Sequence, residues 1–304
     1  MRLRLLPVLL VTLSVSSCAD KVSRSSDVKA IRVIDIELDR PEAKPGESVK
    51  AAVIVADPLN QAQTAQYLWL ACPLEFDSQA YQCSQGEEAF FDMQLTQDMP
   101  LTEFVVPSDI LDPLPGSDQA PEDRNVSIGV LICAGGTIDL EKVQDTNEAC
   151  RNGKSIYAYK RLVVSRAEKP NKNPSIRSVA IGDDTAGSRD YELDGDVINH
   201  LTRCNQQGKC PQRKISVKLT SDSIEKYEKT DFGNTETVTE APYISWFATG
   251  GTFKHDRTID PVDDAGLTWE NNWNLPGPGQ VQLWVVARDG RGGTDWRTFL
   301  IEVN

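Results

Sequence analysis

Along most of the chain, hydrophobic residues alternate with polar ones or stand in short β-branched runs bounded by turn residues. In the first half these runs are residues 31–38, 48–56, 67–71, 104–106, 126–133 and 155–164, with a short piece near 90–93. In the second half the clear runs are residues 176–181, 214–219, 243–248, 280–287 and 294–303. A period of two predicts strands, and helical periodicity is nearly absent. Only residues 221–229 are compatible with one helical turn or two, so we expect an all-β protein.

A polar segment with two prolines, residues 167–174, separates the two sets of strands. Few contacts are expected to cross a linker of this composition. About seven short strands before it are typical of a two-sheet sandwich, and the second half repeats the plan. We therefore expect one sandwich domain at residues 31–166 and another at 175–304.

Several local patterns connect both halves with immunoglobulin-like domains. Residues 67–69 and 243–246 each place an aromatic pair on a mid-domain strand, where an Ig-like sandwich often buries a Trp. Residues 278–293 resemble the late strand and final hairpin of PKD-like domains. Residues 45–49 and 56–58 resemble the early strand of bacterial Ig-like domains. The chain as a whole resembles bacterial, myxobacterial-type surface lipoproteins, and this resemblance implies two Ig-like antiparallel β-sandwich domains in tandem.

The N-terminus resembles an export signal. A short basic start precedes an apolar run at residues 5–15, which is too short to span a bilayer but fits a signal peptide. Val15-Ser16-Ser17-Cys18 resembles a bacterial lipobox, which implies cleavage before Cys18 and lipid on its sulfur. We expect a signal peptide at residues 1–17 and, at 18–30, the lipidated Cys18 with a flexible Ser-rich tether. Ordinary secretion, with Cys18 merely near the cleavage site, is the alternative.

A lipid on Cys18 places the protein on a membrane surface, because two or three acyl chains hold a protein there stably. In the better-known Gram-negative bacteria, an Asp directly after the lipidated Cys retains a lipoprotein in the inner membrane. Here Ala19 follows Cys18, and Asp20 comes one residue later. We therefore expect a lipid-anchored protein of the cell envelope, in the outer membrane rather than the inner one.

The remaining cysteines predict disulfides, because they follow an export signal and are even in number. They are Cys72, Cys83, Cys133, Cys150, Cys204 and Cys210. Local order favours Cys72–Cys83, Cys133–Cys150 and Cys204–Cys210. A crossed pair such as Cys72–Cys133 remains open.

Charge and motifs argue against several function classes. The 304 residues carry a formal net charge of −13 at pH 7, whereas a nucleic-acid-binding protein needs a basic footprint. The chain contains two histidines and neither an H-E-x-x-H nor a G-x-S-x-G motif. We expect no enzyme activity and no cofactor.

Two acidic clusters are weak candidates for calcium, which takes six to eight oxygen ligands. One comprises Asp260, Asp263 and Asp264, and the other is the Asp194-Gly195-Asp196 turn. Their spacing does not match an EF-hand loop, and solvated loop charge explains both. We therefore favour no metal site.

The last candidate site is aromatic. Trp269 and Trp273 enclose a polar stretch, as an exposed loop would, so they could stack on a sugar ring or anchor a partner protein; the alternative is that they are core residues. The first hypothesis is a non-catalytic protein-interaction subunit of the envelope, with an exposed apolar or aromatic patch expected on the second domain. The second is a carbohydrate-binding surface lipoprotein that uses Trp269 and Trp273.

Overall fold

A computed structural model describes residues 24–58, 60, 64–74, 91–113, 119–143, 148–182, 190–202, 212–231 and 234–304. These residues form β-strands joined by turns and loops, with no α-helix among them. The prediction of an all-β protein is therefore confirmed. In the same ranges, no helix has the length and apolar character needed to cross a membrane.

The first half folds into two sheets that face each other. Its strands are β1 (Arg32–Leu38), β2 (Glu42–Ala43), β3 (Ser48–Ala56), β4 (Ala65–Pro73), β5 (Asp92–Gln97), β6 (Leu101–Val105), β7 (Asp123–Ala134), β8 (Thr137–Ile138), β9 (Cys150–Arg151) and β10 (Lys154–Ser165). One sheet has the order β1-β3-β6, and the other has the order β2-β10-β7-β4-β5. The β2–β10 pair is parallel, and the other pairs are antiparallel.

Alternation along these strands builds the first core. On β3, Val49, Ala51 and Val53 point towards the opposite sheet. On β4, Tyr67 and Trp69 point back at them, and Trp69 is 2% exposed. Side chains from both sheets thus form one hydrophobic cluster, which is the β-sandwich arrangement.

The second half repeats this arrangement. Its strands are β11 (Ile176–Ile181), β12 (Tyr191–Glu192), β13 (Ile198–Leu201), β14 (Arg213–Leu219), β15 (Lys226–Asp231), β16 (Asn234–Thr239), β17 (Tyr243–Ala248), β18 (Thr252–Phe253), β19 (Arg257–Thr258), β20 (Thr268–Asn274), β21 (Gly279–Arg288) and β22 (Thr294–Val303). The sheets are β12-β11-β14-β20-β18 and β13-β22-β21-β17-β19. The segment with possible helical turns contains one 3-10 turn, Ser221–Ser223, followed by the β15–β16 hairpin.

The two halves share one strand order. In each, the central pairing runs from the last long strand through its neighbour to the mid-domain strand: β10-β7-β4 in the first half and β22-β21-β17 in the second. In each, a short early strand pairs in parallel with that last strand, β2 with β10 and β13 with β22. Strands β4, β7 and β10 are therefore equivalent to β17, β21 and β22.

The segment between the halves is packed rather than loose. Asn171 is 4% exposed; its backbone N–H donates to Glu42 Oε2 at 2.7 Å, and its Nδ2 donates to Asp289 Oδ2 at 2.8 Å. Asn173 Nδ2 donates to the Leu38 carbonyl at 2.7 Å. The expectation that few contacts cross residues 167–174 is wrong, because these two amides bind both halves.

The end of the expected tether is also fixed. The hydroxyls of Ser25 and Ser26 donate to the Asp256 carboxylate at 2.8 and 2.7 Å. Asp27 forms a parallel bridge with Ala248, and Val28 is buried. Residues 24–28 therefore lie against the second half, which corrects the prediction of a flexible tether at residues 18–30 for this part of it. Residues 18–23 lie outside the described residues.

Candidate functional site

The predicted Trp pair does not form an exposed site. Trp269 is 1% exposed and Trp273 is 0% exposed, and both belong to the second core. Trp273 stacks on Phe253 with ring centroids 5.5 Å apart. Of the three polar residues between them, Asn271 is buried as well, and its Nδ2 donates to the His255 carbonyl at 2.7 Å. The prediction that these indoles stack on a ligand is wrong, because β20 turns both inward.

The acidic candidates serve local turns. One Asp263 oxygen accepts from the backbone N–H groups of Leu267 and Thr268 at 2.7 and 2.9 Å, and the other accepts from the Thr268 hydroxyl. These bonds hold the pKa of Asp263 below its ordinary value against the opposing effect of desolvation, which is the largest single influence. Asp260 and Asp264 are exposed. Among the described residues, no group of three or more His, Cys, Asp or Glu side chains could hold a metal ion.

The predicted Cys133–Cys150 disulfide is confirmed, which excludes the crossed Cys72–Cys133 pair. Cys72 is also disulfide-bonded, and its pairing with Cys83 stays a prediction. Cys18, Cys83, Cys204 and Cys210 lie outside the described residues.

The two halves meet through an extensive interface, which the sequence patterns did not predict. The outer face of the β21–β22–β17 sheet packs on the outer face of β1 and β3, away from both cores. The shared apolar cluster comprises Val28, Ile34, Ile54, Ala56, Phe247, Trp284 and Val286, with Trp296 packed against it. Trp296 Nε1 donates to Glu37 Oε2 at 2.8 Å, and the Arg32 guanidinium lies 5.4 Å from the Phe247 ring centroid.

Buried charges border this apolar cluster. Asp35, 8% exposed at its side chain, accepts from Lys160 Nζ at 3.2 Å and from Arg288 Nε at 2.9 Å. Burial lowers the pKa of Lys160, an effect that the attraction of Asp35 opposes. The carboxylate thus links a strand of each half through two cations.

A second charged group lies beside the linker. The Arg291 guanidinium contacts Glu240 Oε1 at 2.9 Å and Glu42 Oε2 at 3.7 Å. Burial raises the pKa of Glu240, and the backbone N–H of Glu225 and the Arg291 guanidinium both oppose this shift. The Asp289 carboxylate accepts from the backbone N–H groups of Arg291 and Gly293 at 2.7 and 2.9 Å, so it fixes the turn that carries this guanidinium.

The outer face of the β10-β7-β4-β5 sheet carries several exposed apolar side chains. Register places Tyr159, Gly129, Leu70 and Met93 side by side in one row across the four strands. The next row contains Tyr157, Leu131, Leu68 and Leu95. Met93 is 56% exposed, and Leu95 and Tyr159 are each 46% exposed. We call Leu70, Met93, Leu95, Tyr157 and Tyr159 the first-half outer face.

Part of this same face is covered by its own chain. Residues 137–143 and 148–151, here called the covering segment, pack Ile138, Val143 and Ala149 against Leu68 and Leu131, and Leu70 and Tyr157 pack against the same cluster. The covering segment is held by the Cys133–Cys150 disulfide and by the Ile138 N–H, which donates to Gln66 Oε1 at 2.6 Å. Of the first-half outer face, Met93, Leu95 and Tyr159 remain exposed beside this segment.

The aromatic end of the face opens onto a groove. This groove of about 700 Å³ is lined by residues 29–36 of β1 and its approach, by Asp27, and by residues 156–159 of β10. A smaller groove, lined by Tyr159, Tyr243 and Arg288 among others, continues towards the second half. Tyr157 and Tyr159 have ring centroids 6.3 Å apart, and burial raises the pKa of Tyr157. The first-half outer face is therefore continuous with the junction between the halves.

The alternation of apolar and polar residues in β5 indicated this face in the sequence. In β5 the apolar residues Met93 and Leu95 alternate with polar ones, and the polar set faces inward: Gln94 Oε1 accepts from the buried Thr102 hydroxyl at 2.7 Å. The alternation could be seen in the sequence, but the side that faces solvent could not. An apolar, aromatic sheet face of this kind can bind another apolar surface. This face lies in the first half, and the expected patch on the second half stays a prediction.

Comparisons with known proteins found distant structural similarities only. No family model matches the sequence, and neither does a curated protein. Red sea bream transglutaminase is similar at 8% identity and a TM-score of 0.26 over 90% of this chain and 32% of that one. Dimeric latent PorU from Porphyromonas gingivalis is similar at 11% identity and a TM-score of 0.24 over 90% of this chain and 24% of that one. The Yersinia pseudotuberculosis adhesin InvE is similar at 9% identity and a TM-score of 0.21 over 88% of this chain and 58% of that one. This chain spans less than two thirds of each of them, and similarity this distant carries no argument about activity.

Proposed function

We propose that this chain is a lipid-anchored cell-envelope protein of two Ig-like domains in tandem that binds a partner protein and catalyses no reaction. The lipobox-like Val15-Ser16-Ser17-Cys18 supports the anchor. The common strand order of the two halves supports the tandem Ig-like interpretation, and the Cys133–Cys150 disulfide is typical of an exported protein. The resemblance to myxobacterial-type surface lipoproteins and Ala19 after Cys18 favour the outer membrane.

The observation that carries the binding role is the first-half outer face. Met93, Leu95 and Tyr159 stand exposed in adjoining rows of one sheet. Aromatic and Met side chains are enriched in the centres of protein interfaces, and clustered exposed apolar residues mark interaction sites. Because Trp269 and Trp273 are buried, the carbohydrate alternative loses the two indoles on which it was based.

The binding role is tested by changing the charge of this face in the full chain. In a Met93→Glu, Leu95→Lys double variant, in-cell cross-linking followed by mass spectrometry should recover the partner about tenfold less than in the wild type, as for loss of an interface hot spot. The matched control is Lys218→Glu on the outer face of β14, where the side chain is also exposed. Equal recovery of every envelope protein from the double variant, the control and the wild type contradicts the proposal.

The anchor is tested separately through Cys18. We expect the wild type to incorporate labelled palmitate and to sediment with membranes, and Cys18→Ser to lose both properties. A wild-type protein that carries no lipid and is released in soluble form contradicts the anchor, and leaves ordinary secretion as the explanation of the N-terminal signal.

A further inference from the structure

One sheet of the first half ends in an open edge. β5 is the outermost strand of its sheet, and among the described residues no strand pairs with its outer side. It spans six residues, of which Asp92 alone is charged, and it contains no proline. Met93 and Leu95 on it are exposed. A long apolar edge of low charge is a template for pairing with another strand.

The bonds to β4 show where the backbone groups of β5 point. The Asp98 N–H donates to the Ala65 carbonyl at 2.8 Å, and the register of β4 and β5 places these residues directly opposite each other. In an antiparallel pair, alternate residues exchange both backbone bonds with the neighbouring strand. The even-numbered residues of β5 therefore bond to β4. Met93, Leu95 and Gln97 turn their N–H and C=O groups towards the open edge.

The other outermost strands of the four large sheets are short or already bonded. β2, β12, β18 and β19 span two residues each, and β13 spans four. The Leu38 carbonyl of β1 accepts from Asn173 Nδ2 at 2.7 Å. The Glu103 carbonyl of β6 accepts from Gln94 Nε2 at 2.7 Å. Of these strands, β5 thus presents the longest edge without such protection.

We infer that β5 pairs in antiparallel orientation with β5 of a second copy of this chain, about a two-fold axis at Gln94. Met93 then lies opposite Leu95 of the second copy, and Leu95 lies opposite Met93 of the second copy. Both pairs exchange backbone hydrogen bonds, because these residues face the open edge. All four apolar side chains lie on the same outer side of the joined sheets, where cross-strand neighbours stabilise each other. A self-complementary strand of this kind closes a two-fold dimer, the commonest symmetry of soluble oligomers.

The charges of β5 favour this axis over one at Leu95. An axis at Leu95 would place Asp92 opposite Asp98 of the second copy. Like charges directly opposite each other on neighbouring strands are destabilising. The axis at Gln94 instead places Asp92 opposite the neutral Thr96 of the second copy.

The backbone also disfavours an axis at Met93. That axis would require Phe91 to exchange backbone bonds with Leu95 of the second copy. The Phe91 N–H already donates to the Ala71 carbonyl of β4 at 3.0 Å, so it points away from the open edge. The axis at Gln94 uses only residues whose backbone groups face that edge.

This pairing joins two five-stranded sheets edge to edge. The first-half outer faces of the two copies then form one continuous surface, on which Met93 and Leu95 of each copy pack beside those of the other. The surface as a whole still faces solvent and stays open to the partner proposed above. The inference therefore goes beyond the proposed function, because it concerns how copies of this chain assemble.

The first test uses two full-length copies with different affinity tags, produced in the same cells and purified in detergent through one tag. We expect the wild-type copies to co-purify. Met93→Lys, Leu95→Lys in both copies places like charges opposite each other and should lower co-purification about tenfold. Met93→Glu, Leu95→Lys in both copies carries as many charges, but each negative charge lies opposite a positive charge of the other copy. This matched control should still co-purify.

The second test introduces a single cysteine at the axis. In the inferred register, Gln94 lies opposite Gln94 of the second copy in a pair without mutual backbone hydrogen bonds. The Cα atoms of such a pair are about 4.5 Å apart, within the range of a disulfide. We expect Gln94→Cys to form a covalent dimer in the full chain. The control Lys218→Cys, at an exposed position on β14, should not.

Each contrary result overturns a stated part of the inference. Wild-type copies that do not co-purify exclude the dimer, and undiminished co-purification of the doubly positive variant excludes β5 as its interface. Loss of co-purification in both double variants, or no covalent dimer from Gln94→Cys, refutes the register. A disulfide between Gln94→Cys and a different protein refutes the second copy as the occupant of the edge. Recovery of a different protein on the outer face is measured separately, so the proposed function can fail or hold independently of these results.

Discussion

Removal of the Asp35 carboxylate is the sharpest test of how the two halves are joined. Asp35 is the acceptor shared by Lys160 Nζ at 3.2 Å and Arg288 Nε at 2.9 Å, and all three side chains are largely buried. In Asp35→Ala both cations keep their burial and lose their shared counter-charge. Breaking a buried ion pair from one side costs about 3–5 kcal/mol, so we expect the free energy of unfolding to fall by that amount.

The assay is equilibrium unfolding of the purified chain in urea, together with its thermal midpoint. At roughly 2 °C per kcal/mol for a chain of this size, the midpoint should fall by about 6–10 °C. Lys160→Met is the informative companion variant, because it leaves Asp35 paired with Arg288 and removes a cation whose pKa is lowered by burial. We expect this variant to be as stable as the wild type or more stable, within about 1 kcal/mol.

A substitution at an exposed carboxylate gives the reference for the stability change. Asp196 is an exposed carboxylate of a surface turn, and Asp196→Ala should change stability by no more than about 0.5 kcal/mol. If Asp35→Ala costs no more than Asp196→Ala, Asp35 does not hold two buried cations in solution, and the described packing of the halves is refuted.

Three further predictions concern other parts of the molecule. Burial raises the pKa of Glu240 above its ordinary 4.5, so the wild type should lose stability as pH rises through the folded-state pKa of this carboxyl. When the free energy of unfolding is measured from pH 4 upward, Glu240→Gln should lack this loss. Identical pH profiles for the two proteins would contradict the prediction. Cys150→Ser should lower the free energy of unfolding by about 3 kcal/mol by the loop-entropy estimate. It should also expose Leu68, which would increase the binding of an apolar dye. Unchanged dye binding would show that the covering segment stays in place without the disulfide. Trp273→Ala should destabilise the fold by about 3–5 kcal/mol in urea unfolding, and a variant of wild-type stability would show that the indole is not a core residue.

The strands could be predicted because their alternation is local. Long strands such as β3 and β22 bury mainly one face along nine and ten residues, so their period shows in the sequence. Short strands such as β2, which spans two residues, carry too few positions for a period. Their place depends on the partner strand.

The site predictions were wrong where a tertiary contact decides the outcome. From the sequence, the polar Asn271 is expected at the surface. Inside the fold its amide donates to the His255 carbonyl, and this partner is 16 residues away in the sequence. One sequence pattern did indicate the interface between the halves. Residues 283–287 of β21 form an unbroken apolar run, which indicates a strand buried on both faces, and only the structure shows what covers the second face.

If Cys18 carries a lipid, the attachment of Ser25 and Ser26 to Asp256 limits how far the molecule can stand from a bilayer. With a lipid on Cys18, residues 18–23 alone would separate the acyl chains from the fixed chain at Arg24. An extended chain advances at most about 3.5 Å per residue, so residues 18–23 could span at most about 20 Å. The second half, which holds Arg24 to Asp27, would then rest beside the lipid headgroups instead of at the end of a long stalk. A partner for the first-half outer face would accordingly be a protein whose own domain lies within reach of the same membrane.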